Sequence, residues 1–224
     1  MNGIFSSSLG KKLIMSLSGL FLMLFLLVHL ATNLLLLVGD DGEMYNKAAH
    51  ALLTTPVLKA VEILLALGFI FHIVYATILT LKNRKARPVG YAKSASNELT
   101  TWSSRNMYIL GFVILVFLVL HLINFFLKLR FGDAPHIIYD GVQMHNSYLL
   151  VSKFFVDYWW YNVIYIVSAI LLGLHLSHGF WSAFQTIGLN NTKWIPRIQV
   201  VSYIYAAIIA AGFTIIPLYF WFFY

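Results

Sequence analysis

Four histidines, His29, His72, His121 and His178, fall one each inside four consecutive apolar stretches of the chain. An ionisable side chain near the centre of a bilayer costs at least ~2 kcal/mol, so its presence there asks for a function. Imidazole can do two things at such depth: ligate a metal through a ring nitrogen, or relay a proton. The chain contains no cysteine. That excludes disulfides, thiolate-held iron–sulfur clusters and a haem attached through Cys-x-x-Cys-His. Hydrogen bonding between helices would account for one such histidine, but it gives no reason for one on each of four successive spans.

The elements that position these side chains follow from composition. Of 224 residues, 60% are hydrophobic and 10% charged, which places the chain in the membrane class. A bilayer crossing needs about 20 apolar residues. Five stretches qualify, roughly 13–38, 57–81, 106–130, 158–187 and 198–223. Lys11 and Lys12 precede the first as in a signal peptide, but its apolar run is too long and no cleavage site follows, so it reads as a retained helix. The expectation is one all-α transmembrane domain over residues 1–224. Lys11, Lys12, Lys82, Arg84, Lys85, Arg87, Lys93, Arg105, Lys193 and Arg197 fall on one side; Lys47, Lys59, Lys128, Arg130 and Lys153 share the other with most of the acids. The positive-inside rule then places the N-terminus in the cytoplasm and the C-terminus outside. The net charge of +7 is accounted for by this topology, and no nucleic acid is expected as a partner. Residues 43–53 have the spacing of an amphipathic helix on the outer interface, and 131–156 form a second long outer connection. The inner loop 82–105 is basic, with Pro88 and Gly90 as turn signals.

Depth sorts the histidines into pairs. Spans 1 and 3 run outward and carry His29 and His121 in their outer halves; spans 2 and 4 run inward and carry His72 and His178 in their inner halves. Short connections make sequential helices neighbours, so spans 1 and 3 face each other diagonally, as do spans 2 and 4. Two imidazoles facing across a bundle core suit the two axial positions of a planar iron macrocycle. The pattern predicts spans 1–4 as an antiparallel bundle around two b haems, the outer held by His29 and His121, the inner by His72 and His178. Span 5 has no histidine and is expected on the periphery. His175 lies one turn from His178 on nearly the same face, and depth alone does not separate the two.

Further residues invite a role. Gly19 precedes His29, and Gly111 precedes His121, by the same ten positions, about 15 Å along a helix. Each glycine is expected beside the inner macrocycle's edge, with ordinary small-residue packing as the alternative. Glu62 is the one acidic residue inside a span, a turn below Lys59. It is a candidate for proton exchange at a quinone site, or a snorkelling partner of Lys59. His50, on the interfacial segment before span 2, is a candidate to close such a pocket, or a solvated loop residue.

The run Ser18-Gly19-Leu20-Phe21 leading to Val28-His29, the phrase Leu120-His121-Leu122, and His178-Gly179 before an aromatic turn resemble a known family. They are similar to the dihaem cytochrome b membrane anchor of succinate dehydrogenases and quinol:fumarate reductases, in its single-subunit, five-helix form. The resemblance runs the length of the chain. In that family glycine follows the fourth ligand directly, so the resemblance selects His178 over His175. It implies an FAD-containing flavoprotein and an iron–sulfur subunit docked on the cytoplasmic side. It further implies electron transfer through two haems to or from menaquinone or another quinone, in the bacterial cytoplasmic membrane. It also allows a homodimer of the whole complex. Some members carry glutamate two residues before the fourth ligand; Leu176 stands there. Succinate oxidation and fumarate reduction share this anchor, so the physiological direction stays open. Two rivals remain. The gamma subunit of respiratory nitrate reductase also holds two haems, but with two histidines on each of two helices. A proton-coupled transporter would call for broken helices at mid-membrane, and Pro217 is the one proline inside a span.

Overall fold

Apolar runs with no polar face leave their backbone groups no partner in lipid except one another, and this dictates helix. The computed structural model describes residues 7–86, 101–132 and 134–224, and is 83% helical. Arg87, Pro88, Gly90, Lys93 and Asp133 lie outside the described residues. The elements are α1 (Ser8–Leu34), α2 (Glu43–Thr54), α3 (Pro56–Lys85), α4 (Trp102–Arg105), α5 (Met107–His121), α6 (Leu127–Phe131), β1 (His136–Tyr139), β2 (Val142–His145), α7 (Ser147–Asp157), α8 (Trp159–Thr186) and α9 (Ile195–Phe223). A 3-10 turn, Leu35–Leu37, prolongs α1, and a π turn, Leu122–Phe126, joins α5 to α6. Among the described residues, five helical segments are long and apolar enough to cross a bilayer: Leu9–Leu37, Pro56–Lys85, Met107–Phe131, Trp159–Thr186 and Ile195–Phe223. The chain is a multi-pass, all-α membrane protein, with one small hairpin among the described residues.

Local chemistry sets the ends of these helices. Ser7 caps α1 by accepting from the Gly10 amide at 3.0 Å. Pro56 opens α3, where its missing N–H removes nothing the helix needs. Pro217 sits inside α9, toward its C-terminal end rather than at mid-span, and is buried.

The connections at one end build a cap. Residues 43–53, expected as an interfacial helix, form α2. The 131–156 stretch divides into the β1–β2 hairpin and α7. Asp140 and Gly141 make the turn, both with positive φ (52° and 76°), as a two-residue loop matched to strand twist requires. Asn46, fully buried on α2, donates to Asn146 Oδ1 at 3.2 Å and accepts from the Tyr148 amide at 2.8 Å. Asn146 Oδ1 also accepts from the Leu149 amide, capping α7. Lys47 ties α2 to the turn through Asp140 at 2.7 Å. We call this the hairpin end.

Packing between spans is uneven. α1 packs against α3, α8 and α9; α8 packs against α5, α9 and α1. Gly173 permits the α8–α9 crossing: a Cβ there would stand 2.8 Å from that of Ala210 and 3.3 Å from the Ala206 carbonyl. Among the described residues, α1 and α5 do not pack closely backbone to backbone, and neither do α3 and α8. The fifth span was expected at the periphery. It lies against both α1 and α8, burying Ser202, Ala206, Ile209, Ile216 and Phe220, and its Phe213 reaches inward to His29.

Candidate functional site

The helix pairs that stay apart are the ones whose histidines meet. His29 on α1 and His121 on α5 face each other with ring centroids 5.7 Å apart and planes at 88°. His72 on α3 faces His175 on α8 at 6.4 Å and 70°. Two imidazoles bonded to opposite faces of one iron through metal–nitrogen bonds of ~2 Å would have centroids about 6.3 Å apart. The second pair stands at that separation, and the first is about half an ångström inside it.

The structure brings His175, rather than His178, face to face with His72. His178 does not face His72; its ring meets Trp181 edge-on, with centroids 4.9 Å apart. Three residues of helix rotate a side chain by about 300°, so His175 and His178 diverge by about 60° around α8. That turn is enough for one to point inward and the other toward its own helix neighbour. His178 Nδ1 and Trp181 Nε1 are both buried without a hydrogen-bond partner.

The two glycines lie beside the His72–His175 pair. A Cβ on Gly19 would stand 3.4 Å from His72 Cε1, and one on Gly111 would stand 3.4 Å from His175 Cε1. Each glycine therefore gives an imidazole of the adjacent helix a flat surface to lie on. Their matched spacing to His29 and His121 follows from α1 and α5 repeating one arrangement: glycine under an inner-pair imidazole, then a histidine of the other pair.

Metal-bound histidines characteristically engage their second ring nitrogen with a neighbour that fixes ring orientation. Here His121 Nδ1 lies 3.1 Å from the Tyr165 hydroxyl. His72 Nδ1 lies 3.5 Å from Ser18 Oγ, and His29 Nδ1 lies 3.5 Å from the Asn33 amide. His175 Nδ1 is buried without a hydrogen bond. At His121 and His72 a hydroxyl can accept from Nδ1, which leaves Nε2 for a metal; Asn33 Nδ2 is a donor, bonded to the His29 carbonyl at 2.7 Å, and selects no nitrogen of His29. Phe25, Phe117, Phe125 and Phe213 surround the His29–His121 pair with ring separations of 5.1 to 5.9 Å. The π turn starts directly after His121; such turns are rare and concentrate at functional sites. Among the described residues no three histidine, aspartate, glutamate or cysteine side chains converge on a bare metal ion. A macrocycle that brings four nitrogens of its own needs only two ligands.

Glu62 pairs with Arg130 of α6 at 3.6 Å, rather than with Lys59. Arg130 also donates to the Leu53 carbonyl at 3.2 Å. Glu62 precedes His72 by ten residues, as His29 follows Gly19 by ten. Because Gly19 faces His72, Glu62 stands at about the depth of His29, ~15 Å from that contact. At the hairpin end His50, Lys59, Arg130, Gln143 and His145 line a cavity of about 260 Å³, so His50 shares a wall with the partner of Glu62. His145 is held below the usual imidazole range, first by burial and then by the neighbouring His136. Trp102 and Arg105 form α4, which packs on α8 near the opposite end.

Sequence spacing overlooked Tyr165 and Phe213, and left His175 and His178 unseparated. A tyrosine ten residues before a histidine on one helix carries no motif, and its contact with His121 exists only once α5 and α8 pack. No protein-family model, no curated protein and no solved structure matches this chain.

Proposed function

We propose that this chain is the dihaem cytochrome b anchor of a succinate:quinone oxidoreductase, in the succinate dehydrogenase or fumarate reductase sense. The observation that carries the reading is the meeting of histidines in two pairs at two depths, each between helices whose backbones stay apart. When bound, two b haems would supply one-electron carriage between an iron–sulfur subunit on one side of the membrane and a quinone, menaquinone in the first instance. His29 and His121 would hold one haem, His72 and His175 the other, with His175 replacing His178.

What the chain's own residues do follows from their surroundings. Nε2 would be the ligating atom of His121 and His72, whose rings Tyr165 and Ser18 fix through Nδ1. Gly19 and Gly111 set the stand-off of His72 and His175 from the neighbouring helices. The phenylalanines around His29 and His121 exclude water and lower the local dielectric, one of the means by which a protein sets a redox potential. Quinone reduction takes up two protons with two electrons. Glu62, at the depth of His29 and bridged to the cavity by Arg130, is the proposed proton-exchanging group, and His50 a wall of the quinone pocket. Under the positive-inside reading the hairpin end faces outward, and the end with the N-terminus and α4 faces the cytoplasm of a bacterial cell. That second face is the proposed dock for the iron–sulfur subunit, which carries the FAD flavoprotein.

Mild detergent extraction from the native membrane tests this reading. The chain should copurify with covalently bound flavin and with iron in excess of its haem, and the preparation should transfer electrons from succinate to a quinone. Isolation of the chain alone as a fully active quinone reductase would contradict it. Within that preparation Glu62→Gln should abolish quinone-linked turnover while both haems and dye-linked succinate oxidation persist; unchanged quinone turnover would remove Glu62 from the mechanism.

A further inference from the structure

Beyond the ligating histidines, one hydrogen-bonded chain leads away from the candidate metal centre. The Tyr165 hydroxyl lies 3.1 Å from His121 Nδ1 and 3.2 Å from the Tyr161 hydroxyl. The Asn124 side chain also reaches Tyr161. Tyr161 is fully buried, and its ring lies 4.7 Å from that of Tyr165, so the two phenols are held by packing rather than by solvent. Phe117, Phe125 and Phe155 close around Tyr165 at ring separations of 4.8, 6.1 and 5.1 Å. The other pair has no such chain of side chains: Ser18 stands 3.5 Å from His72 Nδ1, and the backbone of Met15 and of Met107 is the polar neighbour of His72 and His175.

We propose that Tyr165 is a positioning residue that fixes the tautomer of His121 and lowers the reduction potential of the haem held by His29 and His121. The proposal rests on the dihaem reading above. With iron on Nε2, a neutral imidazole must carry its proton on Nδ1, so that nitrogen donates to Tyr165 Oη. Tyr165 has one proton of its own, and Tyr161 is the acceptor within reach. The chain therefore runs in one direction, His121 to Tyr165 to Tyr161, and each bond polarises the one before it. Drawing the Nδ1 proton outward places more negative charge on the ligating nitrogen. A more basic ligand favours ferric iron over ferrous, which lowers the potential. The low-dielectric aromatic cage leaves water no route to replace the bond.

The test is a redox titration of membranes holding the complete complex, followed at the haem absorption bands and by electron paramagnetic resonance. The His29→Ala variant, which should lack the outer haem, identifies that component. Tyr165→Phe keeps the ring and removes the hydroxyl: the outer midpoint should move positive, the inner midpoint should stay, and the outer low-spin signal should change shape. Tyr161→Phe leaves the bond to His121 intact and removes only its polarising acceptor, so the outer midpoint should move the same way by less. If Tyr165→Phe loses the outer haem, Tyr161→Phe carries the test, because its fold at His121 is untouched. A dihaem chain whose outer midpoint ignores both variants, or moves negative, overturns this proposal alone. A wild-type chain without haem removes the reading it stands on.

Discussion

At the scale of single residues, the account turns on which imidazoles face one another. His175→Ala should lose the inner haem while keeping the outer, and His178→Ala should keep both, measured as haem per protein from the pyridine haemochrome spectrum. The reverse result would return the ligand role to His178. The glycines give a second expectation. A Cβ at Gly111 already meets His175 at contact distance, so the branched carbons of Gly111→Val would occupy the imidazole's volume. That variant should lose the inner haem selectively, and full haem content in it would show that the glycine face does not position the ring. The planes of the two pairs lie at 88° and 70°. Near-perpendicular axial imidazoles leave the iron orbitals nearly degenerate, so both ferric haems should give strongly anisotropic low-spin resonance signals rather than the rhombic signal of parallel rings.

At the scale of elements, the hairpin end is a clasp built on polar contacts, and it should respond to changes that leave the spans intact. Asn46→Ala would leave the part-buried Tyr148 amide without its acceptor, at a cost of about 1–3 kcal/mol. A lowered melting temperature in detergent, with faster amide exchange in α2 and the hairpin, is the expected result. Acid should loosen the same region. The His145 imidazole binds its proton less readily folded than unfolded, because burial and His136 oppose its charge. Its contribution is complete above the ordinary value of 6.5 and declines as pH falls through it. The Asp140 carboxyl, held low by Lys47, adds a further loss at more acid pH. Amide exchange in β1 and β2 compared at pH 7.5 and 5.5 should therefore show faster opening at the lower pH, and equal rates would contradict the assignment. This end also shows what sequence does and does not carry. Asp140-Gly141 between Tyr139 and Val142 is a hairpin signal written in two residues. The buried role of Asn46 is not legible in the same way, since its partners lie a hundred positions away and it sits in a segment whose amphipathic spacing alone predicts helix.

At the scale of the whole molecule, hydropathy made the five spans legible, because a bilayer leaves helix as the available solution for an uninterrupted apolar run. Depth arithmetic likewise reached the meeting of His29 with His121, since position along a helix axis is linear in sequence. Azimuth is not. Whether His175 or His178 points at His72 depends on the rotation of α8, which is set by Gly173 against Ala210 and by the ring of His175 against Gly111. The place of α9 was hidden for a related reason: absence of histidine says nothing about packing, and Phe213 enters the site through the contacts of α9 with α1 and α8. All of these features converge on one claim, that the chain holds two haems between two pairs of histidines. The reduced-minus-oxidised absorption spectrum of the purified protein, with haem counted per polypeptide, tests it most directly. The account predicts the sharp bands of low-spin b-type haem at two haems per chain, falling to one in His29→Ala and to one in His175→Ala. A featureless difference spectrum, or a haem content that neither variant changes, would contradict it.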